Sequence, residues 1–249
     1  MAELDSSAPL AHAHVSEEVF DLRPDYRALL VTAEGIDPRS GNAASEELLR
    51  QAEAHATALL AAGSVEQLPH VAAWREAYRG FGAKPQRTRN SLEALTRRAP
   101  SGLPRVNALT DTYNAISVLH QVPIGGEDLV RYAGSPRLVR ATGAEPFDTT
   151  ADGQPVIKNP DVGEVVWCDD AGVTCRRWNW RQGRRTALRP DTTNALFIID
   201  ALVPVTDADL HAVSAALSNH LRGLGPAVRI RSRLIDRAAS SLADREEPS

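Results

Sequence analysis

Residues 90–128 read NSLEALTRRAPSGLPRVNALTDTYNAISVLHQVPIGGED, and most of the fold can be worked outward from them. Asn90 followed three residues later by Glu93 has the form of a capping box, so a helix is expected over Ser91–Arg98. Pro100 and Pro104 break it, and a further helix is expected over about Val106–Gln121. On that helix Asn107, Asp111 and Asn114 are spaced by four and then three, which puts them on one face continuing towards Ser117 and Gln121. The segment closes on Gly125-Gly126, expected as a turn flanked by Glu127 and Asp128. Buried amides and carboxylates must be hydrogen-bonded, so this stripe has to meet loop backbone, ordered water or a ligand. A purely structural role, with Asp111 and Asn114 tying down the glycine turn, stands beside the binding role, and the two are compatible.

Upstream, Tyr26–Ala33 reads as a strand ending at Gly35-Ile36-Asp37-Pro38. Leu48, Ala52, Ala56 and Leu59 recur at helical spacing within Ser45–Ala61, and a second helix runs through Trp74 and Tyr78 to Gly80 and Gly82. After Gly126 the period changes to two. Arg137–Thr142, Gly163–Cys168 and Val173–Trp180 are expected as strands, with Asp169-Asp170-Ala171-Gly172 as the hairpin turn between the last two. The run TNALFIIDAL, Thr193–Leu202, is the most strand-like in the chain and is expected at the centre of a sheet. Thr206 or Asp207 caps a last helix bearing Leu210, Val213, Leu217 and Leu221, stopped by Gly223, before a final strand over Val228–Leu234. No repeat or low-complexity linker interrupts the chain, so one α+β domain over 16–235 is expected, with residues 1–15 and 236–249 as loose tails.

Hydrophobic residues make up 43% of the 249, enough to fill a core for a chain of this length. Cys168 and Cys175 are too far apart and lack a nearby histidine, so they are expected as ordinary thiols, with no metal site. Residues 1–15 carry Glu3 and Asp5, no lysine or arginine and no long apolar run, unlike a secretory signal or transit peptide. No stretch approaches the ~20 apolar residues of a membrane span. A cytoplasmic protein with no membrane partner is expected.

Lysine occurs only at 84 and 158, so the basic residues are almost all arginine, a side chain suited to bidentate contact with phosphate. The net charge of −4 gives no global reason to expect nucleic acid, yet the charge is polarised. Arg75–Arg105 carries a local net +6, as does Arg176–Arg189, and Arg229, Arg231 and Arg233 alternate along the last strand. Such clusters can track a phosphate backbone, with Trp178, Trp180 and Phe81 as stacking faces. Alternatively the arginine stems cover apolar surface and the heads pair with acids elsewhere in the fold.

The chain has no G-x-S-x-G elbow, no H-E-x-x-H and no Walker loop. Gly80-Phe81-Gly82-Ala83-Lys84-Pro85 follows a helix and has proline where a phosphate loop needs glycine, so it reads as a plain turn. His12 and His14 lie in the expected tail, and His55, His70, His120, His211 and His220 fall in or beside helices, as surface or core-satisfied residues.

The succession WREAYRGFGAKP, SLEALTRR, PRVNALTDTYNAIS, PIGGED, GEVVW, RRWNWRQ and TTNALFIIDAL resembles the tRNA-editing domain of the phenylalanyl-tRNA synthetase beta subunit, built of its B3 and B4 modules, over about Trp74–Leu202. More closely, the chain looks like free-standing bacterial proteins that contain only that domain. The resemblance implies a sheet sandwich of unusual topology flanked by helices. It also implies a pocket that hydrolyses a wrongly attached amino acid from tRNA. The family's pocket asparagine matches Asn114. Its histidine falls on Gly125, its glycine connection near Trp180–Gly183, and its glutamate on Ile199 or, with a shift of one residue, Asp200.

A stand-alone aminoacyl-tRNA deacylase acting in trans is therefore the leading expectation, with the 3′ aminoacylated end of tRNA as partner, no DNA and no cofactor. An activated ester needs only a positioned water, polar groups on the oxyanion and a proton path. Asn114 would hold the amino acid or the water, and Asp200 or Glu127 would accept a proton or bind the α-amino group. Asn107, Asp111, Gly125, Gly126, Trp180 and Gly183 would shape the site, and Arg176, Arg177, Arg181 and Arg184 would guide the RNA end. A non-catalytic module binding tRNA or an aminoacyl group is the alternative, marked by glycine at 125. A small-molecule hydrolase or sensor is a third reading. The assignments require Asn114, Gly125 and Asp200 to converge on the largest cavity.

Overall fold

A computed structural model describes residues 10–38 and 43–238; the expected tails at 1–9 and 239–249 lie outside the described residues. In chain order the elements are β1 (His14–Val15), α1 (Glu17–Leu22), β2 (Arg27–Glu34), α2 (Ala43–Ala62), α3 (Pro69–Gly80), α4 (Ser91–Arg98) and α5 (Ala108–His120). Then come β3 (Ile124–Asp128), β4 (Arg137–Arg140), β5 (Phe147–Ala151), β6 (Gln154–Lys158), β7 (Val165–Asp169), β8 (Gly172–Arg176), β9 (Arg181–Gln182), β10 (Asn194–Ala201), α6 (Asp207–Arg222) and β11 (Arg229–Ile235). This is an α+β fold in one domain. Among the described residues no helix is long and apolar enough to cross a membrane.

β10 is interior, in a four-stranded sheet ordered β11-β2-β10-β3, and its strand partners lie far away in the chain. A second, five-stranded sheet is ordered β1-β4-β7-β8-β9. The strands β2 and β10 are apolar on both faces because both faces are covered. Leu29, Val31, Phe197 and Ile199 face α2, α5 and α6, while Ala28, Leu30, Leu196 and Ile198 face Leu138, Val165 and Trp167 of the other sheet. The layers are thus helices, four strands, five strands. Between the sheets Tyr26, Trp74 and Trp178 meet edge to face, with Tyr26–Trp178 and Trp74–Trp178 centroids 4.9 and 5.2 Å apart, contacts worth about 0.5–1.5 kcal/mol each beyond area burial.

Several boundaries differ from expectation for identifiable reasons. Gly125-Gly126 is not a turn: it lies within β3, pairing with β10 so that Gly125 opposes Ile198 and Gly126 opposes Phe197. A Cβ on Gly126 would come 2.7 Å from the Tyr113 ring and 2.8 Å from Leu188, so glycine is what lets α5 lie against this edge strand. The strand expected through Trp180 stops at Arg176, because Arg177 and Trp178 adopt left-handed φ of 48° and 66°. The hairpin β5–β6 and the short helix α1 had no sequence expectation. Residues 10–15, expected to be loose, are packed: Leu10, Ala13 and Val15 are buried, and β1 runs parallel to β4.

Candidate functional site

The strand alternation that buries Ile198 between the sheets puts Asp200 on the same face, and pairing with β3 adds Gly125 and Glu127 to it. β3 and β9 are the edges of the two sheets, and at this open end of the sandwich a cavity of about 250 Å³ is closed over by α4 and α5. Contrary to expectation it is not the largest, since the open depression beside Pro24 and Val203 measures about 540 Å³. Asn114, Gly125, Glu127 and Asp200 all line it, with Trp167, Trp178 and Trp180 supplying aromatic walls and Tyr113, Asn179, Arg181 and Gln182 completing it.

The left-handed pair at 177–178 builds one wall. Such a conformation costs a bulky residue like tryptophan of order 1–3 kcal/mol, and persists only where the surroundings hold it. Here Trp178 N–H donates to Val165 O at 2.7 Å, Arg177 N–H to the Glu164 carboxylate at 3.1 Å, and Ser91 N–H to Asn179 O at 3.0 Å. The turn drives Trp178 into the core and aims residues 179–182 at the cavity.

Asp200 Oδ1 accepts from the Tyr26 hydroxyl at 2.5 Å and Oδ2 from Asn179 Nδ2 at 3.3 Å; Asn179 Oδ1 in turn accepts from the Tyr78 hydroxyl at 2.9 Å. Burial pushes the Asp200 carboxyl up to about 7 against these bonds, and pushes the Tyr26 hydroxyl well above its ordinary value. Glu127 is also fully buried and is pushed up to about 7, burial outweighing the hydroxyls of Tyr132, which bonds Oε2, and of Thr174, which lies close by. Its other oxygen, Oε1, has no hydrogen-bond partner among the described residues. The Asn114 amide, also buried, likewise makes no side-chain hydrogen bond within the described protein.

The remaining site residues separate. Asn107 caps α5, its side chain accepting from Thr110 N–H at 2.9 Å, and lines a different depression beside Arg189 and Leu224. Asp111 accepts from Val106 N–H at 2.8 Å, so it fastens the helix start, and burial raises its carboxyl. Neither reaches the cavity, so the expected three-residue stripe contributes Asn114 alone. Gly126 packs under Tyr113, and Gly183 donates to Thr174 O at 2.6 Å behind the wall; both shape the backbone without lining the cavity.

The four arginines expected to guide RNA are mostly committed elsewhere. Buried Arg176 grips Glu164 with bonds of 2.8 and 2.6 Å, and Arg184 reaches Asp148 at 3.0 Å. Arg177 pairs with Glu164 and Asp161 at 3.4 Å and stacks 4.7 Å over the Trp180 ring. Arg181 alone of the four lines the cavity, and it has no carboxylate partner among the described residues. His70, as expected, is a satisfied core residue: Nδ1 meets Gln121 O at 2.9 Å, Nε2 accepts from Leu202 N–H at 3.1 Å, and burial lowers it to about 4.

Sequence reasoning missed Gln182, Asn179 and Tyr26. Gln182 Nε2 lies 3.1 Å from where a Gly125 Cβ would stand and donates to Gly126 O at 2.9 Å, while its Oε1 accepts from the Tyr113 hydroxyl at 3.4 Å. It therefore fills the space that glycine leaves. The alternation Trp178, Trp180, Gln182 could not have pointed to it, because the left-handed pair resets which side faces inward.

Comparison with known proteins gives a match between residues 73–244 and the B3/4 domain. No curated protein matches. Among solved structures, an N-terminal fragment of the phenylalanyl-tRNA synthetase beta subunit from Pyrococcus horikoshii aligns with 90% of this chain and 50% of its own, at 11% identity and a TM-score of 0.43. The chain thus spans about half the length of that structure.

Proposed function

Because the chain belongs to the B3/4 domain family, we propose that it hydrolyses the ester joining a wrongly attached amino acid to tRNA. The observation that carries this reading is the convergence on one cavity of Asn114, Gly125, Glu127 and Asp200, with Glu127 Oε1 buried and unpartnered. The amino acid's side chain enters among Trp167, Trp178 and Trp180, and the unbonded Asn114 amide holds its carbonyl or the attacking water. Glu127, whose carboxyl ionises at about 7, takes a proton as that water adds to the ester carbonyl. As the tetrahedral intermediate collapses, the proton passes to the departing ribose oxygen, leaving free amino acid and tRNA. A protein nucleophile is not needed, since the vicinal ribose hydroxyl assists. Asp200, already bonded to Tyr26 and Asn179, shapes the cavity floor rather than carrying the proton.

A panel of mischarged tRNAs tests this directly. Purified protein should release amino acid from at least one of them, and Asn114→Ala should slow release by about tenfold or more. No release above the buffer rate from any member, with tRNA still bound, would favour the non-catalytic alternative, to which the glycine at 125 points.

A further inference from the structure

Of the two sequence segments with local net +6, one keeps most of its charge at the surface beside the cavity, while the other contributes Arg181 there. Trp180 and Ala94 line the cavity and also a neighbouring open depression whose other walls are Arg87, Arg89, Arg97 and Arg98. Arg87 continues into a further depression with Lys84 and Phe81. One face therefore runs unbroken from the cavity mouth, past an indole, over a bed of guanidinium groups. Beneath it the Glu93 carboxylate, fully buried, is ringed by Arg75 at 2.8 Å, Arg97 at 3.4 Å and Arg89 at 3.5 Å. Arg97 also pairs with Glu66, so two carboxylates hold three cations and one positive charge remains in excess, pre-arranged at little entropic cost to a ligand. Arg87 and Lys84 have no carboxylate partner among the described residues, and Arg98 bonds only the Gly102 carbonyl, at 3.1 Å.

We infer that this face, Arg87, Arg89, Arg97 and Arg98 walled by Trp180, binds the phosphates of a single-stranded RNA end whose terminal aminoacyl group enters the cavity. The inference rests on the cavity reading above and replaces the 176–184 arginines as the RNA surface. Guanidinium groups suit phosphate oxygens bidentately, and an aromatic ring beside them suits an unpaired base. The large exposed hydrophobic residues, Val106, Val130, Ile157, Val162 and Val203, all lie off this face, which argues against a membrane.

The test pairs two measurements on the full chain. Filter binding of uncharged tRNA at several salt concentrations compares wild type with the double reversal Arg87→Glu, Arg98→Glu, chosen because neither side chain holds a carboxylate. Affinity should fall at least about tenfold, and the slope of log affinity against log salt should lose about two, with an unchanged melting temperature. Removing the single-stranded 3′ tail from the tRNA should mimic the loss. Unchanged affinity and slope on reversal, equal binding without the tail, or preferential reversal-sensitive capture by anionic phosphatidylserine vesicles would each overturn the inference. Hydrolysis of a minimal aminoacyl ester by wild type reads the cavity alone. Turnover of that ester with tRNA affinity indifferent to the reversal sinks the surface and spares the cavity. Arginine-dependent tRNA binding without turnover of any ester does the opposite.

Discussion

Two buried carboxyls lining the cavity hold the same chemistry in opposite states. Asp200 sits in a closed network in which Tyr26, Asn179 and Tyr78 satisfy one another. Glu127 keeps one oxygen unpartnered, and Asn114 keeps its amide unbonded. Both carboxyls ionise at about 7 and both are pushed there chiefly by burial. A shifted pKa therefore does not distinguish a working group from a framework group. The unmet bond does, because only a group with spare capacity can take a proton from, or bind, something that arrives.

The largest expected effect breaks the closed network. Asp200→Ala strands the Tyr26 hydroxyl and the Asn179 amide in the core, and should cost about 3 kcal/mol of unfolding free energy, measured by urea denaturation. The same substitution at Glu127 strands the Tyr132 hydroxyl and leaves Thr174 beside an empty site. Next comes Glu127 itself. Glu127→Gln keeps the shape and the Tyr132 contact, so stability should barely change while ester hydrolysis at pH 8 falls by about a hundredfold. Wild-type rate should climb with pH up to about 7 and level above it, since the ionised form is the base. A flat profile would remove Glu127 from the chemistry.

The smallest effect sharpens the contrast at the level of protons. Asp200 is raised from 3.8 to about 7 in the folded state, so between those values the native protein holds a proton that the unfolded chain has released. Its contribution to stability is thus complete at low pH and is lost as pH rises through about 7. Asp200→Asn carries no such proton. The difference in unfolding free energy between variant and wild type should therefore move in the variant's favour from pH 5 to pH 8, by about 2–3 kcal/mol at most. This difference cancels the opposing contribution of His70, whose lowered value costs stability as pH falls.

Much of the fold could be read directly. The apolar run at 194–201 with covered faces on both sides announced a central strand, and Asn90 announced the start of α4, its side chain accepting from Glu93 N–H at 2.9 Å. Glu93 did not return the bond as a capping box would, because Arg75 claims its carboxylate. Gly125-Gly126 misled because glycine's local preference is for turns, whereas tertiary crowding from Tyr113 demands it in a strand here. Within the site, Asn114, Glu127 and Asp200 were legible and converge. Asn107 was not, since helical spacing counts a cap residue, extended at φ −162°, as though it lay in the helix. The arginines at 176–185 looked unpaired because their partners Glu164, Asp148 and Asp169 come from other segments, which a local charge count omits.

The bond from Ser91 N–H to Asn179 O, 3.0 Å long, fastens the first turn of the arginine-bearing helix to the loop that forms the cavity wall. Chamber and charged ramp are thereby joined through the backbone, and the span between them acts as a gauge. On the inference above, a chain of nucleotides laid along it would present its ester at a set distance from its last gripped phosphate, so length itself would become a criterion of selection.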